Sequence, residues 1–301
     1  MLDRTLAPPF NRSTSFELIV PEKAISTNGA EIYYVLGGTQ DVSKIEMIFP
    51  AGRWFEKVWG ASYFSSQLIS KGTKTKSSFE IAQLFDQFGA HLEVNAGMDF
   101  VSISLYSLNK KLEPSLLLLL ELLQESVFPS KELEQLKSIY LQNLKVNKEK
   151  TSFLASTLIR KKVYGDAHAY GKELEESDVS SLTRETLVDH FNKFFKATTV
   201  IVSGKVSAQH QQFIKETLTP FSFNSLKYSH AVSDEKEKKS RQIVEKEGSV
   251  QSSIRVGKQS IGRRDADYGA VIFLNHILGG YFGSRLMKNI REEKGLSYGI
   301  S

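Results

Sequence analysis

The 301-residue sequence predicts an α+β protein of two related units, each an antiparallel-rich sheet packed with helices, the second unit incomplete. Three observations carry this. Short runs of β-forming residues come first along the chain and recur near its end. Longer helical stretches follow each group. Between the two groups lies the almost wholly charged run 234–241 (DEKEKKSR). Strands and helices in separate blocks, repeated once, describe α+β units and not a parallel βαβ array. The length agrees with two domains at about 150 residues each.

Residues 31–38 (EIYYVLGG) and 43–49 (SKIEMIF) read as strands, with Gly37, Gly38 and Asp41 turning the chain between them. Helices are expected at 60–70 and 78–88, then a strand pair at 90–96 and 99–106 joined around Gly97. Three helices follow at 112–127, 131–147 and 151–163, parted by Pro129 and the Lys/Thr segment near 150. Thr183 opens a helix over 183–195, with Glu185 in its first turn. Residues 198–206 (TTVIVSGKV) make a buried strand, and 208–218 return as a helix. Residues 222–246 are taken as a charged, solvated linker between a first domain, 1–221, and the opening part of a second, 247–301. In that second part 249–257 reads as a strand and 266–278 and 284–293 as helices. Its 55 residues fall short of the roughly 100–150 of an ordinary domain. A half-built sheet leaves unpaired edges, so the last segment is expected to be poorly ordered or supported by another copy.

Composition excludes several classes. With 41% hydrophobic and 24% charged residues the chain is neither disordered nor a membrane bundle. The absence of cysteine rules out disulfides, Cys-ligated zinc, iron–sulfur clusters and thiol catalysis, and agrees with a reducing compartment without proving one. A net charge of +5 over this length is a mild excess, with no nucleic-acid motif interleaved, so no nucleic acid is expected as partner. The start, MLDRTLAPPF, lacks an apolar core of signal-peptide length, and the run Leu116–Leu123 is short and contains Glu121. No membrane insertion is expected, and cytoplasm is favoured over periplasm. Phosphate loops, nucleophile elbows and dinucleotide fingerprints are missing. The six histidines, at 91, 168, 190, 210, 230 and 276, include no i, i+4 pair for a helical zinc site.

Two segments carry a family resemblance. Residues 278–298, LGGYFGSRLMKNIREEKGLSY, resemble the second-domain signature of the pitrilysin/insulinase-type zinc peptidases, most of all the mitochondrial-processing-peptidase-like branch with bacterial members. Residues 60–73, GASYFSSQLISKGT, resemble that family's metal helix, with Lys71-Gly72-Thr73 at its end. Tyr164-Gly165, the run His168–Gly171 (HAYG), Gly204 in its strand and Gln251 also match.

The resemblance implies H-x-x-E-H on the first helix: two histidines for zinc, a glutamate base between them, and a glutamate ligand on a later helix. Those positions fall here on Tyr63, Ser66, Gln67 and Asn143. None is the residue required, so no zinc and no solitary peptide hydrolysis are expected of this chain. The bland reading makes Tyr63 and Gln67 filler where ligands are gone; a peptide-binding role is the alternative.

The second-domain signature keeps its polar pair. In the family the arginine and tyrosine of R-x-x-x-G-L-x-Y reach the facing zinc site and hydrogen-bond the substrate carbonyl and developing oxyanion; here they are Arg291 and Tyr298. Taken as residues alone, Arg291 could pair with a carboxylate at a helix end, and Tyr298 could pack inward from a strand. The resemblance implies a non-catalytic subunit of a heterodimeric zinc peptidase, with zinc and H-x-x-E-H in the partner and an extended peptide as substrate. Without a partner, a homodimer is the expected fallback. The other reading is a structural or peptide-binding member of the same fold, as in respiratory assemblies.

Overall fold

The computed structural model describes Thr5 and residues 17–26, 29, 31–197, 199–219, 221 and 240–300. The chain divides into two compact units, Met1–Glu235 with Val244–Ser253, and Lys236–Ile243 with Ile254–Ser301.

The first unit is built on one six-stranded sheet. Its strands are β1 (Glu22–Ile25), β2 (Glu31–Leu36), β3 (Val42–Phe49), β4 (His91–Ala96), β5 (Val101–Leu108) and β6 (Thr199–Gly204). They lie in the order β1-β2-β6-β3-β5-β4, with β2 and β6 parallel and every other pair antiparallel. Register explains the core. Tyr34, Val202, Ile45, Leu105 and Leu92 are successive partners across five strands, and so are Ile32, Val200, Met47, Ile103 and Val94. Alternation at period two puts both rows on one face, and eight of these ten residues are buried, with Leu92 and Val94 on β4 partly so.

Helices α1 (Ala61–Leu68), α2 (Ser78–Phe88), α3 (Leu112–Glu125), α4 (Ser130–Lys148), α5 (Thr151–Tyr164), α6 (Glu176–Ser181), α7 (Arg184–Phe194) and α8 (Ala208–Leu218) complete the unit. Leu112, Leu116, Leu119, Leu120 and Leu122 make the apolar run of α3 a buried helix against β5 and α8. Ser77 and Thr183 cap α2 and α7 through capping boxes with Glu80 and Thr186. At residue 128 the chain turns with φ of +47°. The Arg184 guanidinium holds that turn, donating to the carbonyls of Val127 and Phe128 at 2.9–3.2 Å.

Every strand and helix expected in this unit forms, within a few residues of its expected ends. Two elements carried too little signal. β1 is four residues long, and α6 is six residues held by a Glu175–Asp178 capping box.

In the second unit α9 (Tyr268–Asn275) runs into a π-helical turn, His276–Gly280, and a second helical segment ends in the π-helical stretch Met287–Glu293. These are the helices expected over 266–278 and 284–293. The strand expected over 249–257 does not form. Val250, Ile254 and Val256 are exposed, and no strand lies alongside them among the described residues. Without a neighbour, a strand's backbone bonds only to water and its alternation has no face to bury. Residues 222–239 of the linker expected over 222–246 lie outside the described residues. Among the described residues no helix is long and apolar enough to cross a membrane.

Candidate functional site

The segment resembling the metal helix folds as one. Gly60 precedes α1 at φ +94°, a left-handed conformation open to glycine, and a Cβ there would crowd Leu182. In place of a Ser or Asp cap, Glu56 reaches the helix start, its carboxylate accepting from the N–H of Gly60 at 3.0 Å and of Ser62 at 2.8 Å. Negative charge is favoured at that end of a helix. Burial nonetheless pushes the Glu56 carboxyl above its usual range, against those two bonds and the attraction of Arg53. Ala61, Phe64, Ser65 and Leu68 are buried, and α1 packs against α7, β4 and α4.

Of the four residues that the resemblance aligns with zinc chemistry, Tyr63 and Ser66 have other partners. The Tyr63 ring lies 5.3 Å from the Tyr140 ring on α4 and 5.3 Å from Phe64, and Tyr140 lies 5.4 Å from Phe64. Ser66 is 1% exposed, and its hydroxyl donates to the Ser62 carbonyl at 2.7 Å. Gln67 is half-buried, while Asn143 is exposed on α4. It is Tyr140, three residues before Asn143, that meets α1. One helical turn separates the two positions on α4. The signal available was an aromatic at i−3 on the same helix. Burial, then the negative charge of Glu173, pushes the Tyr140 phenol up to about 12; Glu173 is itself paired with Arg160.

This donor set does not suit catalytic zinc. The Tyr63 ring packs edge-on and tilted against Phe64 and Tyr140, Ser66 bonds within its own helix, and an amide and a hydroxyl supply neither imidazole nor carboxylate. Among the described residues no group of three His, Asp or Glu is placed to hold a metal ion.

Ser66 and Gln67 do share a cleft of about 300 Å³, which runs from α1 past Lys71 to Phe85 on α2 and to His91 and Leu92 on β4. Since β4 ends the sheet, its outer edge has no strand beside it among the described residues. Such an edge presents unpaired N–H and C=O groups.

The other sequence matches have structural work. Trp54, Tyr164, His168 and Tyr170 form one aromatic cluster, with centroids 4.9–5.9 Å apart. The Tyr170 hydroxyl bonds to Asp99 in the β4–β5 turn, so this cluster ties the end of α5 to that turn. Burial, followed by the Asp99 carboxylate, raises the Tyr170 phenol. Gly171 is required by closeness alone, because a Cβ there would fall 2.0 Å from the Gly165 carbonyl oxygen.

In the second unit the Arg291 guanidinium stands 4.5 Å from the centre of the Phe282 ring, a cation–π contact. Gly295, at φ +62°, ends the Arg291 helix, with its N–H bonded to the Arg291 carbonyl at 3.2 Å. Tyr298 follows at 92% exposure. It does not pack inward.

Residues 36–174 match the family model for insulinase (peptidase family M16), and residues 181–301 match that for the peptidase M16 inactive domain. The chain belongs to peptidase family M16. It is 25% identical over 245 residues to the uncharacterized zinc protease YmxG of Bacillus subtilis, covering 80% of this chain and 59% of that protein. It is 24% identical to the non-peptidase homolog YmxG of Helicobacter pylori, over 80% of this chain and 56% of the relative. Against cytochrome b-c1 complex subunit 1 of mouse mitochondria it is 24% identical, over 53% of this chain and 33% of that one. The chain thus spans little more than half the length of its bacterial relatives. Among solved structures, a peptidase M16 inactive domain from Pseudomonas fluorescens superposes with a TM-score of 0.74 at 23% identity, over 93% of this chain and 69% of that one. That likeness establishes the fold.

Proposed function

We propose that this M16 chain is a non-catalytic subunit of a heterodimeric zinc peptidase. Zinc and H-x-x-E-H belong to the partner, and this chain helps enclose an extended peptide and lends Arg291 and Tyr298 to the partner's zinc site. The carrying observation is an asymmetry. The metal helix keeps its packing while its chemical positions hold Tyr63, Ser66 and Gln67, two of them turned to internal contacts. The Arg/Tyr signature remains, with Tyr298 open to solvent. A guanidinium and a phenol stay protonated at neutral pH and donate to an oxyanion. The open edge of β4, beside the α1 cleft, supports peptide binding by strand addition.

The test is reconstitution. Mixed with an H-x-x-E-H protein from the same cell, the chain is expected to raise peptidase activity. Arg291→Ala or Tyr298→Phe then lowers turnover by about two orders of magnitude, the scale of one lost oxyanion donor, with little change in subunit affinity. A pair equally active with both residues replaced removes the donor role.

A second reading is a structural or peptide-holding member without a catalytic complex. It is favoured by the similarity to cytochrome b-c1 complex subunit 1. Capture of the chain in an assembly free of any H-x-x-E-H protein would select it.

A further inference from the structure

An arginine that serves as an oxyanion donor has to be held in place without spending its N–H groups. A carboxylate would hold the guanidinium and occupy two of its five donors at once. Among the described residues no carboxylate pairs with Arg291, and the neighbouring Glu293 accepts instead from the Asn289 amide at 3.0 Å. The cation lies over the Phe282 ring, 4.5 Å from its centre. A ring offers no lone pair, so it attracts the charge and leaves the donors to another acceptor.

The ring is itself fixed. Phe282 stands in a turn closed by the Ser284 N–H, which donates to the Tyr281 carbonyl at 3.0 Å. Beside it the Tyr281 ring stacks on His276, 5.0 Å between centres and 24° between planes. Gly280 and Gly283 leave room for that stack. A Cβ at Gly280 would fall 2.5 Å from the His276 Nδ1, and one at Gly283 would fall 2.9 Å from the Tyr281 Cε2. The helical segment that carries Arg291 starts here, its Ser284 carbonyl accepting from the Lys288 N–H at 3.0 Å. Ring and guanidinium thus stand on two backbone stretches that hydrogen bonds close.

We propose that Phe282 is a positioning residue, holding the Arg291 guanidinium ready for the oxyanion at the partner's zinc site. This rests on the reading of Arg291 as a donor. An arginine held in advance loses little side-chain freedom when the transition state forms, so the gain falls on turnover and not on substrate binding.

Two measurements on the full chain test this. In the pair reconstituted with the H-x-x-E-H partner, Phe282→Leu should lower kcat about two- to fivefold, the scale of one exposed cation–π contact, with KM unchanged. Phe282→Tyr, which keeps the ring, should restore it, and Phe282→Leu should cost nothing further in an Arg291→Ala background. In the chain alone, the Arg291 Nε–H signal of the proton–nitrogen correlation spectrum, assigned by its loss in Arg291→Lys, should carry a ring-current displacement. That displacement should vanish in Phe282→Leu and persist in Phe282→Tyr. If Arg291→Ala lowers turnover and Phe282→Leu does not, the positioning role alone is overturned. A loss on Phe282→Leu that is equally large without Arg291, or an Nε–H signal indifferent to Phe282, overturns it too. If Arg291→Ala leaves turnover unchanged, the donor reading falls and the positioning role falls with it.

Discussion

The contact between Tyr63 and Tyr140 ties α1 to α4, and its strength can be isolated. Replacing either tyrosine by leucine keeps apolar bulk at the site and removes the ring–ring contact at 5.3 Å. Aromatic pairs at such distances contribute about 0.5–1.5 kcal/mol beyond area burial. Tyr140 makes two of them, to Tyr63 and Phe64, so Tyr140→Leu should cost about 2 kcal/mol and Tyr63→Leu about 1–2 kcal/mol. The double variant should lose less than the sum, by a coupling of about 1 kcal/mol. The chain's two tryptophans, Trp54 and Trp59, both precede α1 by a few residues. Their fluorescence in urea titrations therefore reports the unfolding of the first unit. A coupling below about 0.3 kcal/mol, the spread of additive pairs, would refute the tie. So would stronger coupling of Tyr63 to Asn143 in the cycle with Asn143→Ala.

Two further outcomes follow from packing and burial. Gly171→Ala places a Cβ 2.0 Å from the Gly165 carbonyl oxygen, so the loop must shift and the Trp54–His168–Tyr170 cluster with it; a thermal melt should show a loss of about 2–3 kcal/mol, and an unchanged melting temperature would contradict the geometry. His190 is buried with its Nε2 3.0 Å from the Ala51 carbonyl, and burial lowers its pKa below the ordinary 6.5 despite that bond. The folded protein then binds fewer protons than the unfolded chain, so stability holds above about pH 6.5 and falls as the pH drops below it. Urea midpoints between pH 7.5 and 5 should decline in the natural chain and decline less in His190→Gln.

Much of this was legible along the chain because the cues are local. Alternation in 43–49 and 99–106 identifies β3 and β5, and Thr183 marks the start of α7. The resemblance of 60–73 to the family's metal helix aligned Tyr63, Ser66 and Gln67 with the zinc positions. One element was misread for want of long-range information. The apolar pattern at 249–257 promises a strand, yet a strand is a property of two segments, and no second one lies beside it.

The sequence by itself determined the absences and the residue types. No cysteine, no H-x-x-E-H and a retained Arg291 and Tyr298 follow from reading letters, because chemistry that needs an imidazole or a carboxylate fails without one. Only the tertiary structure decided which side chains meet. It set Tyr140 against Tyr63, closed the Ser66 hydroxyl onto its own helix, and placed Arg291 over the Phe282 ring. Those outcomes depend on register and helix packing, which join residues far apart in sequence.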